Sequence, residues 1–161
     1  MRMRTFCLVP LTFAILLSAP AAPPDDFTFT DATANVGLAD ALKDALNHAV
    51  AWGDFDGDGR VDLFLGNFAD RTGQPLDGIN RLFRQVEGGK FVPFPAPAVE
   101  RKGRCSGAVF VDLDNDGDLD LYVSSNTLPR AATAKESAKS AQAEPSRLFR
   151  NDGGGKFVDI S

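Results

Sequence analysis

A nineteen-residue stretch occurs twice without a gap, AVAWGDFDGDGRVDLFLGN from Ala49 and GAVFVDLDNDGDLDLYVSS from Gly107, 58 residues apart. A second pair follows: RLFRQVEGGKFV (81–92) returns as RLFRNDGGGKFVDI (147–160), now 66 residues on. The eight extra residues fall in the Ala/Ser/Lys-rich stretch 127–146, which reads as a solvated low-complexity loop. Self-similarity at a period of tens of residues means one supersecondary unit that buries its faces only against its neighbours. The fold must therefore be built by stacking two copies of whatever 48–105 and 106–161 form.

Each copy resolves into four short extended segments, 48–53, 61–67, 80–86 and 90–94 in the first and 106–111, 119–125, 146–151 and 156–160 in the second. Val50 and Trp52 alternate with Ala49 and Ala51, the period-2 pattern of a strand whose small face suits close sheet stacking. EGG and NDGGG mark tight hairpins between the third and fourth segments, where glycine supplies positive φ. Four antiparallel strands per repeat is the unit of a propeller blade. LADALKDALNHA (38–49), with Leu38, Leu42 and Leu46 on one face, predicts a helical connector before the first strand. The expected fold class is all-β: an incomplete β-propeller of four-stranded antiparallel blades, about two blades plus one orphan strand.

Between the first and second strand of each copy lies a loop crowded with carboxylates. Counting Asp54 as position 1, Asp54, Asp56, Asp58 and Asp62 occupy positions 1, 3, 5 and 9, with Gly59 at 6; Asp112, Asp114, Asp116 and Asp120 repeat the pattern with Gly117 at 6. Carboxylates this close repel one another and resist leaving water unless a cation neutralises them. Alternate oxygens, a glycine at the sharp turn and a backbone carbonyl at position 7 are what a hard cation of calcium's size requires. Arg60 and Asp118 hold position 7 and are expected to contribute main-chain oxygen only. An EF-hand is excluded, because position 12 is Leu65 or Val123 inside an apparent strand instead of a bidentate Glu between helices. At this chain's own Asp and Gly frequencies one such match is expected about 0.002 times per chain, so two in register are no accident. Magnesium, which keeps its waters, and zinc, which wants His or Cys, fit less well than two calcium ions.

The remaining residues narrow the class of function. A formal charge of −5 argues against nucleic-acid binding. MRMRT, the apolar run FCLVPLTFAILL and Ala19-Pro20-Ala21 read as a secretory signal over 1–21, too short to span a bilayer, so a secreted, extracellular or periplasmic mature chain without a membrane span is expected. Its cleavage leaves Cys105 as the one thiol, hence no internal disulfide. His48 is the lone imidazole, no Ser has nucleophile-elbow context, and cation-bound Asp pairs make poor general acids, so no catalytic residues are assigned. The Arg81/Arg84 and Arg147/Arg150 pairs alternate with Leu and Phe and are expected to project to solvent.

The D-x-D-x-D-G-x-x-D loop between two strands, repeated, resembles the FG-GAP and VCBS-type repeats of integrin-α-like β-propellers. RLFRNDGGGKFVDIS and FTFTDATANVGL are similar to segments of the cartilage-acidic-protein-like group of secreted proteins. The Gly-Ala-Pro of integrin repeats is absent after Leu65 and Val123. The resemblance implies calcium ligation by the eight Asp of the two loops and a non-catalytic, secreted or cell-surface scaffold for protein or carbohydrate binding or adhesion. The alternative is the N-terminal scaffold of a secreted propeller hydrolase or lyase whose catalytic residues lie elsewhere. FTFTDAT (27–33) matches KFVDIS (156–161) at its Phe and Asp, as though it were the last strand of a blade, so residues 22–47 are read as an N-terminal strand and helical connector. Because a propeller needs at least four blades, the remaining blades are expected from a longer chain or from an oligomer.

Overall fold

A strand whose residues alternate alanine with large side chains can lie close to a second sheet on its alanine face. β1 (Asn47–Gly53) does so: Ala49 and Ala51 are buried while Val50 and Trp52 face outward. The computed structural model describes residues 28–43, 45–68, 79–126 and 145–161. The expected signal segment 1–21 and nearly all of the loop 127–146 lie outside these residues.

β1 pairs antiparallel with β2 (Asp62–Asn67), which pairs with β3 (Arg81–Val86), which pairs with β4 (Lys90–Phe94). β5 (Cys105–Val111), β6 (Asp120–Ser125), β7 (Arg147–Asn151) and β8 (Phe157–Asp159) form a second meander of the same order. Both sheets carry a register shift at the same place, Asn47/Ala49 in the first and Cys105/Gly107 in the second. The chain is thus all-β, two four-stranded antiparallel blades built by the two copies of the repeat.

The sheets stack directionally. The row Ala51–Phe64–Leu82 of the first sheet shares a core with Leu121, Val123, Phe149 and Phe157 of the second, with Ala96 and Val99 of the connector filling one end. The approach is close at Gly66, where an added Cβ would stand 2.3 Å from the Cys105 Sγ, so no side chain fits there. The opposite face of the first sheet, Leu63, Leu65, Phe83 and Phe91, is covered by Leu38, Val36 and Leu42 from the segment before β1. The opposite face of the second sheet is open among the described residues. Its row Val109–Tyr122–Leu148 with Ile160 occupies the positions that Ala51, Phe64, Leu82 and Phe94 hold in the first copy, yet Val109, Tyr122 and Ile160 remain 40–49% exposed.

One expectation for the N-terminal segment needs correction. The helix predicted over 38–49 is a single turn, α1 (Ala39–Leu42), because residues from Asn47 onward pair with β2 instead. One helical turn costs more to nucleate than its few hydrogen bonds return, whereas a ladder adds bonds to an existing strand. Leu38 and Leu42 keep their core role, and Leu46 is exposed. Residues 28–32 are irregular and a turn begins at Thr33; the strand expected at 27–33 was to complete a blade other than these two. This segment pairs with neither of the two sheets.

Candidate metal centre

Each acidic loop is held open by backbone conformations that only particular residues adopt. Positions 4 and 6 are left-handed in both copies, Gly57 at φ 74° and Gly59 at 84°, Asn115 at 59° and Gly117 at 95°. Glycine enters this region without a steric cost and asparagine with a small one. The requirement at position 4, met by Gly57 and Asn115, was readable from the sequence as a pair of residues that share this tolerance.

The loops bring together positions 1, 3 and 5. One carboxylate oxygen from each of Asp54, Asp56 and Asp58 lies within 4.8 Å of the others, and Asp112, Asp114 and Asp116 converge equally. Backbone amides fix the first carboxylate: Asp58 N–H and Gly59 N–H donate to Asp54 Oδ1 and Oδ2 at 3.0 and 2.8 Å. In the second loop Gly117 N–H donates to Asp112 Oδ2 at 3.1 Å, while Asp112 Oδ1 is buried and has no hydrogen-bond partner among the described residues. A buried carboxylate oxygen without a donor is costly, and it is the kind of atom a bound cation would satisfy. The donor set, carboxylate oxygen only, also fits a hard cation of calcium's class. At position 7, Arg60 N–H and Asp118 N–H donate to the position-5 carboxylates Asp58 and Asp116 at 2.9 Å each.

Position 9 stands apart from the converging trio. Asp62 is fully buried and accepts from Phe55 N–H (3.1 Å) and Gln85 N–H (2.8 Å), lacing the loop to β3. Asp120 repeats this with Leu113 N–H (3.1 Å) and Asn151 N–H (2.8 Å). Burial pushes the Asp62 carboxyl up to about 6, against those two amides and with help from the charges of Asp56 and Asp58. Asp114 is also raised, by desolvation first and then by Asp116, Asp120 and Asp112.

Because the folded value for Asp62 lies above the unfolded one of 3.8, the folded state binds the proton more tightly. The metal-free protein should therefore lose stability as pH rises from about 4 through about 6. Melting in chelator across that window checks this, and Asp62→Asn should flatten the decline. Below pH 4 the sign reverses, since Ser161 and the Arg147 and Arg101 guanidiniums hold Asp159 below the usual range.

The arginines expected in solvent remain partly exposed, Arg84 and Arg150 at 43% of their side-chain surface, and each meets a polar partner. Arg84 pairs with Asp56 at 3.3 Å and Arg60 with Asp58, so the first loop carries its own guanidiniums. Arg150, the counterpart of Arg84, is taken by Asp152 at 2.6 Å. Arg81 donates to the Ala41 carbonyl and Arg147 pairs with Asp159 at 2.8 Å. Their alternation with Leu and Phe places them off the core face, where Arg84, Arg147 and Arg150 meet carboxylates and Arg81 a backbone carbonyl.

Two residues outside the acidic pattern join the loops to the blades. Phe55, at position 2 of the first loop, is fully buried against the rings of Phe94 (4.9 Å), Phe157 (5.9 Å) and Phe110 (6.1 Å). Asn151, also fully buried, donates to the carbonyls of Phe55 (2.8 Å) and Leu119 (3.2 Å) and accepts from Gly155 N–H (3.1 Å). It thereby ties one loop to the other. Cys105 is buried, its thiol pushed up to about 11 by burial, and His48 stacks on Phe68 at 4.3 Å on the exposed side of β1.

Residues 54–123, from the first carboxylate of one loop to the second strand of the next blade, match the family model described as FG-GAP-like repeat. Human cartilage acidic protein 1 is 38% identical over 76 residues, covering 44% of this chain, and mouse cartilage acidic protein 1 matches to the same extent. The shared stretch is 11% of each relative's length, so the chain spans a small part of these curated proteins. Residues 54–123 are thus similar to FG-GAP-like repeats, and the chain folds as two antiparallel four-stranded blades.

Proposed function

We propose that this chain is a calcium-stiffened, non-catalytic blade module of a secreted or cell-surface protein, acting as a scaffold for protein or carbohydrate partners. The observation that carries this reading is the convergence of three carboxylates in each loop, at equivalent positions of two stacked blades. Asp54, Asp56 and Asp58 would hold one ion and Asp112, Asp114 and Asp116 the other, with the carbonyls of Arg60 and Asp118. Asp62 and Asp120 would complete the set through lone pairs their amide donors leave free. The ions' work would be structural, neutralising each loop at the point where Phe55 and Asn151 bind it to the next blade. Affinity of the extracellular kind, roughly 0.1–1 mM, suits such a site.

The basic, apolar and small-residue order of 1–21 supports export, and no helix among the described residues is long and apolar enough to cross a membrane. The open face of the second blade supports a further blade as its occupant, since its residues repeat those by which the first blade packs on the second. Leu113, the counterpart of buried Phe55, is 49% exposed at the edge of that face and would be covered with it.

Calcium at about one hundred times its dissociation constant should add about 2.7 kcal/mol per site. Two sites would then raise the melting temperature by roughly 10–20 °C. Thermal melts with calcium and with chelator check this, and Asp116→Asn should remove one site's share. An unchanged melting temperature in chelator would refute the structural role.

A further inference from the structure

The two loops share a pattern but differ in what already neutralises them. In the first, four aspartates face two guanidiniums: Arg60 pairs with Asp58 and also donates from Nε to the Gln85 carbonyl at 3.0 Å, and Arg84 pairs with Asp56 at 3.3 Å. Both oxygens of Asp54 accept backbone amides. In the second, position 7 is Asp118 in place of Arg60, so five aspartates occupy the loop, and Arg150, the counterpart of Arg84, is ion-paired to Asp152 while also feeling the charges of Asp114 and Asp120. One oxygen of Asp112 is buried there without a donor.

Resting on the calcium reading above, we infer that the loops are unequal cation sites, Asp112–Asp120 binding a hard divalent cation at least about tenfold more tightly than Asp54–Asp62. The physical reason is competition. A cation entering the first loop must either displace two guanidiniums from the carboxylates it needs or bind beside them and bear their repulsion. A unit charge a few ångströms away changes an ionisation equilibrium by tenfold or more, and calcium carries twice the charge of a proton. In the second loop the entering ion meets an additional carboxylate, and Asp112 Oδ1 is buried without a donor. Position 7 is thus the affinity-setting residue of each loop by its side chain, besides any ligation by its carbonyl. Such a pair fills in sequence: the second loop is loaded at calcium levels that leave the first closed by its own arginines.

Calorimetric titration of calcium chloride into the metal-free chain tests this. Two events are expected, the tighter lost in Asp116→Asn and the weaker in Asp58→Asn. Arg60→Asp, an exposed change that threatens no core contact, should tighten the weaker event about tenfold or more. Asp118→Arg should loosen the tighter one comparably. Equal affinities, or loss of the tighter event in Asp58→Asn, would overturn the ordering while leaving calcium binding intact. Heat from neither loop in the unaltered chain would overturn both the ordering and the calcium reading. A tightening in Arg60→Asp without change in Arg60→Lys would localise the effect to charge.

Discussion

Phe55→Ala is expected to destabilise the protein by about 3–5 kcal/mol, the range for removing a fully buried aromatic ring. The size of the effect comes from where the ring sits. It belongs to the acidic loop by sequence, yet its contacts are Phe94 of its own blade and Phe110 and Phe157 of the next. Alanine would open a cavity between the blades; the ring is packed so closely that a Cβ added at Gly155 would stand 2.9 Å from it. Chemical denaturation with and without calcium measures the loss. The equivalent change Leu113→Ala should cost less than about 1 kcal/mol in this chain, since that side chain is half exposed. Similar losses at the two positions would contradict the directional stacking.

Asn151→Ala is expected to cost about 3–5 kcal/mol. The carboxamide satisfies two carbonyls, of Phe55 and Leu119, and one amide, of Gly155. Each buried group left unsatisfied costs about 1–3 kcal/mol. Asn151→Asp preserves the shape and should be at least as harmful, because a carboxylate would face the two carbonyls that the amide now serves. A loss below 1 kcal/mol in either variant, read by the same denaturation, would mean water replaces the side chain and the loops are not laced through it.

Particular residues show how far the sequence carried. The eight strands fall within two residues of their expected positions, because alternation in β1, the paired hairpin glycines and the repeat itself are local signals that agree. The acidic trio is legible for the same reason, its spacing being a property of one short loop. The helix over 38–49 was not, because Leu38 and Leu42 reach a sheet face from a single turn while Leu46 stays exposed. Nor was the second role of Asp62 and Asp120, whose oxygens meet amides from a loop residue seven back and a strand residue 23 or 31 positions on. Asn151 looked like an ordinary turn residue beside Asp152 and three glycines, and its partners Phe55 and Leu119 are 96 and 32 residues away.

What the sequence by itself determined is the unit: four strands, a nonapeptide that gathers oxygens, and a period that demands stacking. These depend on φ/ψ preference, side-chain alternation and charge spacing, all of which act over a few residues. Only the tertiary structure decided how copies meet, with Gly66 against Cys105, Phe55 beneath the next blade, Asn151 between the loops, and Arg60 and Arg84 ion-paired to carboxylates of the first loop. Such choices are settled by burial and pairing between residues far apart in the chain, where the energy of a contact depends on what the rest of the fold has placed beside it.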